Sequence, residues 1–443
     1  MSDQTRNPRA GRAPKGTRTV AVDALARVEG EGALYVRVRD GEVEDIKFRI
    51  FEPPRFFEAF LQGRRYMEAP DITARICGIC PIAYMMGASQ AMEDALGLKV
   101  TGPLRDLRRV VYCGEWIESH VLHAAMLHAP DFLGLQDSLL LAKQNPALVE
   151  KALKLKKLGN EILETIGGRA VHPVNLRVGG FHGMPRKKAV RALADRLEWG
   201  VEASRDLAKA FSAFDYPDFD QDTISVSMRH PDEYAICEGR IVSDQGLDIA
   251  VADFLTHFEE EHVAHSNALQ GHMKGVGPYL VGPIARYNNN FKQLSRLAKA
   301  TAKECGLGPK VTNPFKSILV RMIETLYACE ESLRLVKDYE EPDASCLVAK
   351  DRAGVGHGCT EAPRGICYHR YALDGEGRIT KATIIPPTAQ NQKQIEADLL
   401  GVVKKNLDLS DEDLKWRCEQ TIRNYDPCIS CATHFLDLRV ERV

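Results

Sequence analysis

The chain has 443 residues, 44% hydrophobic and 27% charged, with a formal net charge of −2. This is ordinary globular usage with enough length to bury a large core, and it lacks the positive field that nucleic acid or an acidic membrane surface selects. No apolar run approaches the roughly 20 residues of a membrane span. No Gly-x-Gly-x-x-Gly opens a βαβ unit, so nicotinamide and flavin binding belong to other chains.

Residues 1–18 are rich in Arg, Gly, Pro and polar side chains and have no apolar h-region. They read as a disordered tail rather than a signal peptide. Residues 34–50 alternate apolar and polar about Asp40-Gly41, which predicts a β-hairpin. Residues 104–129, 135–166, 186–214, 248–271 and 315–339 repeat their apolar positions at three- and four-residue steps, as helices packed in a bundle do. A second hairpin is expected over residues 371–385, turning at Asp374-Gly-Glu-Gly377. Ser410-Asp-Glu-Asp413 resembles a capping box that opens a last helix towards Asn424. The fold class is therefore mainly α with small β-hairpin elements (α+β), built as a large helical bundle. Without an internal repeat or a linker, residues 19–434 read as a single domain, although length alone suggests roughly three.

Twelve cysteines divide into two groups. Cys113, Cys237, Cys305, Cys329, Cys346, Cys359, Cys367 and Cys418 stand singly in apolar or helical contexts and read as small buried hydrophobes. Free thiols in that number suit a reducing cytoplasm. The other four form two Cys-x-x-Cys pairs near opposite ends. These are Cys77 and Cys80 in Arg75-Ile-Cys-Gly-Ile-Cys-Pro81, and Cys428 and Cys431 in Asp426-Pro-Cys-Ile-Ser-Cys-Ala-Thr-His434. Four thiolates brought together would hold one thiophilic metal centre. A zinc ribbon uses the same spacing, usually with a few tens of residues between the pairs in a domain that lacks its own core. Most of this chain intervenes. That favours a catalytic centre between elements and leaves structural zinc as the competing reading.

The flanking blocks are more specific. They are Arg27-Val-Glu-Gly30, Phe56-Phe-Glu-Ala-Phe-Leu-Gln-Gly-Arg64, the first cysteine block, His172-Pro-Val-Asn175 with Gly179-Gly180, Ala362-Pro-Arg-Gly365, Pro386-Pro-Thr388 and the second cysteine block. In this order, from about residue 20 to 434, the sequence resembles the large, catalytic subunit of nickel–iron hydrogenases. The resemblance implies that family's helical fold and reversible heterolytic cleavage of H2 to protons and electrons. Cys77 and Cys428 would be terminal nickel ligands, with Cys80 and Cys431 bridging nickel and iron. The iron would carry cyanide and carbon monoxide, with Arg364 and Thr388 as hydrogen-bond donors around them, and Pro387, Arg75 and His120 nearby. Glu29 would be the first carboxylate of a proton relay, within reach of Cys428. Glu58, His434 and a backbone carbonyl would share a hydrated magnesium ion, and Asp426 would support the nickel ligand two residues on.

Taken alone, these residues read more plainly. Glu29 would be a solvated surface group, Glu58 part of a helix face, Asp426 a turn or cap carboxylate, His120 a satisfied core histidine and Arg364 a salt-bridge partner of Glu361 or Asp426. One departure from the family pattern is clear. Many uptake-type relatives place a canopy aspartate where Ser119 stands in Trp116-Ile-Glu-Ser-His-Val-Leu-His123, so a carboxylate role there is in doubt.

No further cysteine cluster can pass electrons on, so an iron–sulfur small subunit is implied, docked beside the cysteine loops. The stretch Glu52-Pro-Pro-Arg-Phe-Phe-Glu58 and the C-terminal block look most similar to the soluble, bidirectional, cofactor-coupled group, and among these to the NADP-linked sulfhydrogenase type. Diaphorase-like subunits with FAD, NAD(P) and iron–sulfur clusters would then complete the complex. Coupling to NAD, deazaflavin F420 or heterodisulfide reductase is the alternative. Non-catalytic relatives such as the quinone-site subunit of complex I have lost the metal cysteines, and all four are present here. Residues 435–443 follow the histidine after which family precursors are cut. The resemblance thus implies nickel-insertion factors and a maturation endopeptidase that removes this extension.

Overall fold

The computed structural model describes residues 16–433. The expected tail up to residue 15, His434 and the extension at 435–443 therefore lie outside the described residues. Three antiparallel strands come first, β1 (Thr17–Val22), β2 (Gly32–Arg39) and β3 (Glu42–Ile50). The β2–β3 hairpin is the expected one. Asp40 and Gly41 turn it with φ of 50° and 84°, the left-handed pair that a tight two-residue turn requires. β1 begins inside the segment expected to be disordered. Arg18 explains why, because its guanidinium donates to the carbonyls of Leu407 and Leu409 at 3.1 and 2.8 Å.

The helical layer contains α1 (Phe57–Leu61), α2 (Pro81–Leu96), α3 (Pro103–Val121), α4 (Pro146–Gly167), α5 (Ala194–Ser212) and α6 (Ser317–Asp338). α3 packs on both α4 and α6, and α5 packs on α6. A Cβ at Gly159 of α4 would come within 2.6 Å of Gly114 O on α3, so glycine lets these helices touch backbone to backbone. Residues 104–129 are helical as expected, but beyond Val121 the helix widens into a π-type turn over Leu122–His128. The helix expected over 135–166 is broken at Asn145-Pro146. Pro146 cannot continue the preceding helix, and the Asn145 side chain accepts from Leu148 N at 3.1 Å to start a new one. The segment 186–214 likewise divides, into Lys187–Arg191 and α5.

Residues 248–271 do not form the expected helix. After a short turn of helix at Phe254–His257 they run as β4 (Phe258–His262), paired antiparallel with β5 (Leu269–Met273). Tertiary packing overrides the helical spacing here. Phe254 and Phe258 stack with one another, Phe254 stacks on Tyr368, and Phe258 leans on Tyr279. Gly271 passes so close to the later helix Pro387–Lys405 that a Cβ would lie 2.9 Å from Gln390 Cα.

The C-terminal part comprises β6 (Gly354–Ala362), β7 (Gly365–Leu373) and β8 (Ile379–Ile385), then α7 (Pro387–Lys405) and α8 (Asp411–Arg423). The β7–β8 hairpin matches the expectation, and β6 joins it as an antiparallel third strand. β6 lies against α2. Cβ atoms at Gly356 and Gly358 would come within 2.0 and 2.3 Å of Ala91 O and Gly87 O, so only glycine allows the sheet this close. Ser410 caps α8 as its sequence suggests, accepting from Asp413 N at 3.1 Å. One contiguous core extends from Leu61 to Cys431 and includes all four paired cysteines. Among the described residues no helix is long and apolar enough to cross a membrane.

Candidate metal centre

The packing of α2 against β6 fixes one cysteine pair. Cys80 caps the N-terminus of α2, and Pro81 supplies the first helical residue. The loop folds back on itself, so that the amides of Ile79 and Cys80 donate to Cys77 Sγ at 3.3 and 3.2 Å. Behind it, the Glu115 carboxylate on α3 accepts from Ile82 N at 2.5 Å and Ala83 N at 3.2 Å, satisfying two otherwise orphaned donors of α2.

The other pair leaves α8 through a left-handed Asp426, φ 52°, into a 3₁₀ turn over Ile429–Thr433. Hydrogen bonds with Glu29, Thr388 and Arg364, all distant in sequence, hold this segment. Glu29 runs alongside Cys428 as a parallel bridge, its carbonyl accepting from Ile429 N at 3.0 Å and its Oε2 from Ser430 N at 3.1 Å. Gly30 makes the approach possible, since a Cβ there would lie 2.7 Å from Ile429 Cβ. Thr388, second residue of α7 after Pro387, accepts from Cys428 N through Oγ1 at 3.1 Å. Arg364 Nε donates to Asp426 O at 2.6 Å, and its Nη2 lies 3.0 Å from Asp426 Oδ2.

The two loops meet in the core. Cys77 Sγ is 3.5 Å from Cys428 Sγ, Cys80 Sγ is 3.9 Å from Cys431 Sγ, and all four sulfurs lie within 4.8 Å of one another. All four are buried. Burial pushes the Cys77 thiol up, but hydrogen bonds from the other three sulfurs and the Arg364 charge outweigh it and hold Cys77 well below the usual thiol range. Those sulfur contacts, with burial, push Cys80 up, and burial foremost does the same to Cys428. The four thiols therefore titrate as one coupled group, with the Arg364 cation favouring its anionic form. Arg364 Nη1 is buried with no hydrogen-bond partner among the described residues.

The remaining expected residues fall at varied distances from this cluster. Glu58 Oε1 accepts from Ile384 N at 2.6 Å; its proposed partner His434 lies outside the described residues. Glu260, in the segment whose spacing predicts a helix, comes near enough for the Glu58 charge to matter, and burial first and Glu58 second push its carboxyl up to about 8. Arg75 does not turn to the thiols: its guanidinium pairs with Asp71 at 3.0 Å, one helical turn back at the surface. His120 Nε2 lies 3.0 Å from Glu324 Oε2 and its ring rests beside Trp116. Burial keeps that imidazole neutral, down at about 4 despite Glu324. Glu361 is the partner of Arg286 at 3.0 Å, which leaves Asp426 to Arg364.

Sequence reasoning missed Arg55. Its Nη2 donates both to Ile76 O, at 2.7 Å, and to Ser430 O, while its main-chain N–H donates to Thr433 O at 2.7 Å. One side chain therefore ties the two cysteine loops together. The stretch around it, Glu52-Pro-Pro-Arg-Phe-Phe-Glu58, entered only as a mark of resemblance to the cofactor-coupled group.

A family model described as nickel-dependent hydrogenase matches residues 55–151 and 265–434, spanning both cysteine loops. The chain belongs to the nickel-dependent hydrogenase family. It is similar to the alpha chain of sulfhydrogenase 1 from Pyrococcus furiosus, at 33% identity over 95% of this chain and 98% of that protein. It is also similar to an F420-non-reducing hydrogenase from Methanothermobacter marburgensis, at 30% identity over 94% of this chain and 95% of that one. The crystal structure of an NAD+-reducing NiFe hydrogenase in the H2-reduced state superposes with a TM-score of 0.86 at 27% identity, covering 95% of this chain and 100% of that one. The protein is thus a large subunit of the nickel–iron hydrogenase type, and the structural-zinc reading falls. Its donor set fits the family's metals: four soft, buried thiols gathered at one point, with amide donors on Cys77 and a free guanidinium N–H beside them.

Proposed function

We propose that this chain is the H2-cleaving subunit of a heteromeric, NADP-linked hydrogenase, with Cys77 and Cys428 as terminal nickel ligands and Cys80 and Cys431 as bridges to iron. The observation that carries the reading is the meeting of the two cysteine loops under Arg364, whose buried Nη1 is without a partner. That donor suits a cyanide on iron. The Thr388 hydroxyl accepts from Cys428 N and keeps its own proton to donate. When bound, the centre supplies the Lewis acidity that polarises H2 and takes up its two electrons.

The chain's part is to receive and remove the proton. A terminal cysteine sulfur is the nearest base, and Glu29 is the next, because its main chain bridges Cys428 and its carboxylate sits on the same turn. Asp426 keeps Arg364 oriented. Glu58 and His434 would hold a hydrated magnesium ion that closes the C-terminal end of the site.

Electrons leave through an iron–sulfur small subunit seated over the cysteine loops. Val171, 55% exposed, borders Gly78 there, and Phe60 on α1 is also 55% exposed. Diaphorase-like subunits with FAD and NADP complete the complex in the cytoplasm, after nickel insertion and endopeptidase processing. The F420-non-reducing relative at 30% identity favours a second reading, coupling to a heterodisulfide-reductase-type partner. Infrared spectra of the complex purified from its host, with nickel and iron analysis, test the first statement. Cyanide and carbonyl stretches that shift under H2 are expected; zinc in place of nickel without such bands would overturn it. H2-dependent reduction of NADP+ by the same preparation then separates the two couplings.

A further inference from the structure

The first two turns of α7 carry four amide side chains, and three of them are engaged. Gln390 donates to the carbonyls of Ile366 and Ile385 at 2.7 and 3.2 Å and accepts from Tyr279 Oη at 3.1 Å. Asn391 holds both main-chain groups of Val281, at 2.9 and 3.2 Å, and Gln394 donates to Thr223 Oγ1 and Asp398 Oδ1 at 3.2 and 2.7 Å. Gln392 is the exception. It is fully buried, and neither its Oε1 nor its Nε2 has a hydrogen-bond partner among the described residues.

A primary amide offers two donors and an acceptor oxygen, and burying it unbonded forfeits its hydration without return. Its surroundings give no relief, since Ile395 and Leu399 on the same face of α7 pack with Phe48, Ile429 and Ala432 in one apolar cluster. What satisfies such a group deep in a fold is ordered water, which donates and accepts alike.

The place of Gln392 in the helix gives that water a use. It stands four residues after Thr388 and four before Glu396, so the three side chains follow one another up one face of α7. Thr388 Oγ1 touches the second cysteine turn through Cys428 N and has a lone pair left. Glu396 accepts from Phe48 N at 3.0 Å and from Gln270 Nε2 at 3.3 Å, and its Oε1 lies 2.8 Å from His265 Nε2. The Glu396 and His265 side chains are 19% and 22% exposed, so this pair meets solvent. Side chains one turn apart have Cβ atoms about 5–6 Å from each other, a gap that a bridging water closes.

We infer that Gln392 is a positioning residue that holds ordered water between Thr388 and Glu396, and that this line along α7 carries protons from the second cysteine turn to His265 at the surface. It rests on the H2-cleaving function proposed above, whose proton it leads away. A proton leaving the turn bonds to the water, and a different proton of that water moves to Glu396, on to the His265 ring and out to solvent. Each carrier ends as it began, and both electrons stay with the metal centre.

A high-resolution crystal structure of the holoenzyme complex gives the direct test. A chain of ordered water from the Gln392 amide to the Glu396 carboxylate is expected. A dry amide overturns the proposal without any variant. Gln392→Leu should expel the water and melt no lower than the wild type, because no protein group loses a partner. Its nickel content and infrared bands under H2 should be unchanged, while H/D exchange with solvent falls by about 10²-fold, as for the loss of one positioned proton carrier. Glu396→Gln, which keeps the shape of the side chain, should show the same fall, and the double variant no further one. Full exchange in either variant with the bands intact, or losses that multiply in the double variant, would remove this route and leave the metal centre standing. Missing bands in the wild type would instead overturn the H2-cleaving function, and the proton route with it.

Discussion

Cys77 and Cys80 ride on the N-terminus of α2, with their loop wrapped on its own sulfur and braced by a single carboxylate from the next helix. Cys428 and Cys431 sit instead on a short 3₁₀ turn whose hydrogen bonds reach back to Glu29, Arg364 and Thr388. The first loop takes its hydrogen bonds chiefly from α2 and α3, close in sequence, with α2 resting on β6 and Arg55 reaching in to Ile76 O. The second presupposes the N-terminal sheet, the β6–β7 turn and α7, all assembled. Half of the site is therefore close to preformed, while the other half reports on completion of the fold, a division expected when long-range contacts carry one element and local contacts another.

Replacing a ligand on the dependent side tests the comparison most severely. Cys428→Ser should abolish H2 activation altogether, because a hydroxyl oxygen is too hard a donor for this centre. The protein should still fold, since the sulfur's removal leaves every hydrogen bond of the turn in place. Residual H2-dependent dye reduction would show that Cys428 is not a ligand.

Arg55 is where the two loops depend on each other, and its removal should lower metal content rather than catalytic chemistry. Arg55→Ala deletes donors to Ile76 O and Ser430 O, one on each loop. At about 1 kcal/mol or more for each buried carbonyl left unmatched, we expect at least a tenfold weaker hold on the assembled site, seen as a fall in nickel per chain. Full nickel occupancy with unchanged activity would show that the loops are held independently.

Glu29→Gln keeps both acceptor positions around Ile429 and Ser430 while removing the exchangeable proton. Nickel and the infrared bands should persist, and H/D exchange with solvent should fall by about 10²-fold, the usual contribution of a positioned proton-transfer group. Unimpaired exchange would move the relay to another group.

Much of this was readable beforehand, for identifiable reasons. Both hairpins carried their turn chemistry in four residues or fewer, α6 carried uninterrupted periodicity, and α8 carried its Ser410 cap. The cysteine blocks were legible because soft ligands at that spacing have few other uses. Residues 248–271 were not, because their helical spacing reflects Phe254 and Phe258 packing onto Tyr368 and Tyr279, partners more than twenty residues away. Arg55 and Glu115 were missed for a related reason. Each acts through main-chain groups of a distant loop, and a main-chain partner leaves no trace in the sequence.

The smallest expected effect lies on the preformed side. Glu115 is fully buried and accepts from Ile82 N and Ala83 N. Burial pushes its carboxyl well above the ordinary range, Glu118 and Cys77 add to the push, and the two amides pull it back only in part. In the unfolded chain the same group ionises near pH 4.3. As pH rises from there towards the folded value, the unfolded state binds fewer protons than the native one, so this group's contribution to stability falls with pH. Glu115→Gln has no such dependence, and its amide N–H₂ meets a main-chain donor at one of the two contacts, costing about 1–3 kcal/mol. The wild type should therefore melt above the variant by most at acid pH, with the gap narrowing as pH rises, while activity per nickel atom stays the same. A gap independent of pH would mean that Glu115 is ionised throughout and that the amides at the start of α2 outweigh its burial. The first cysteine loop would then be held by charge and not only by shape.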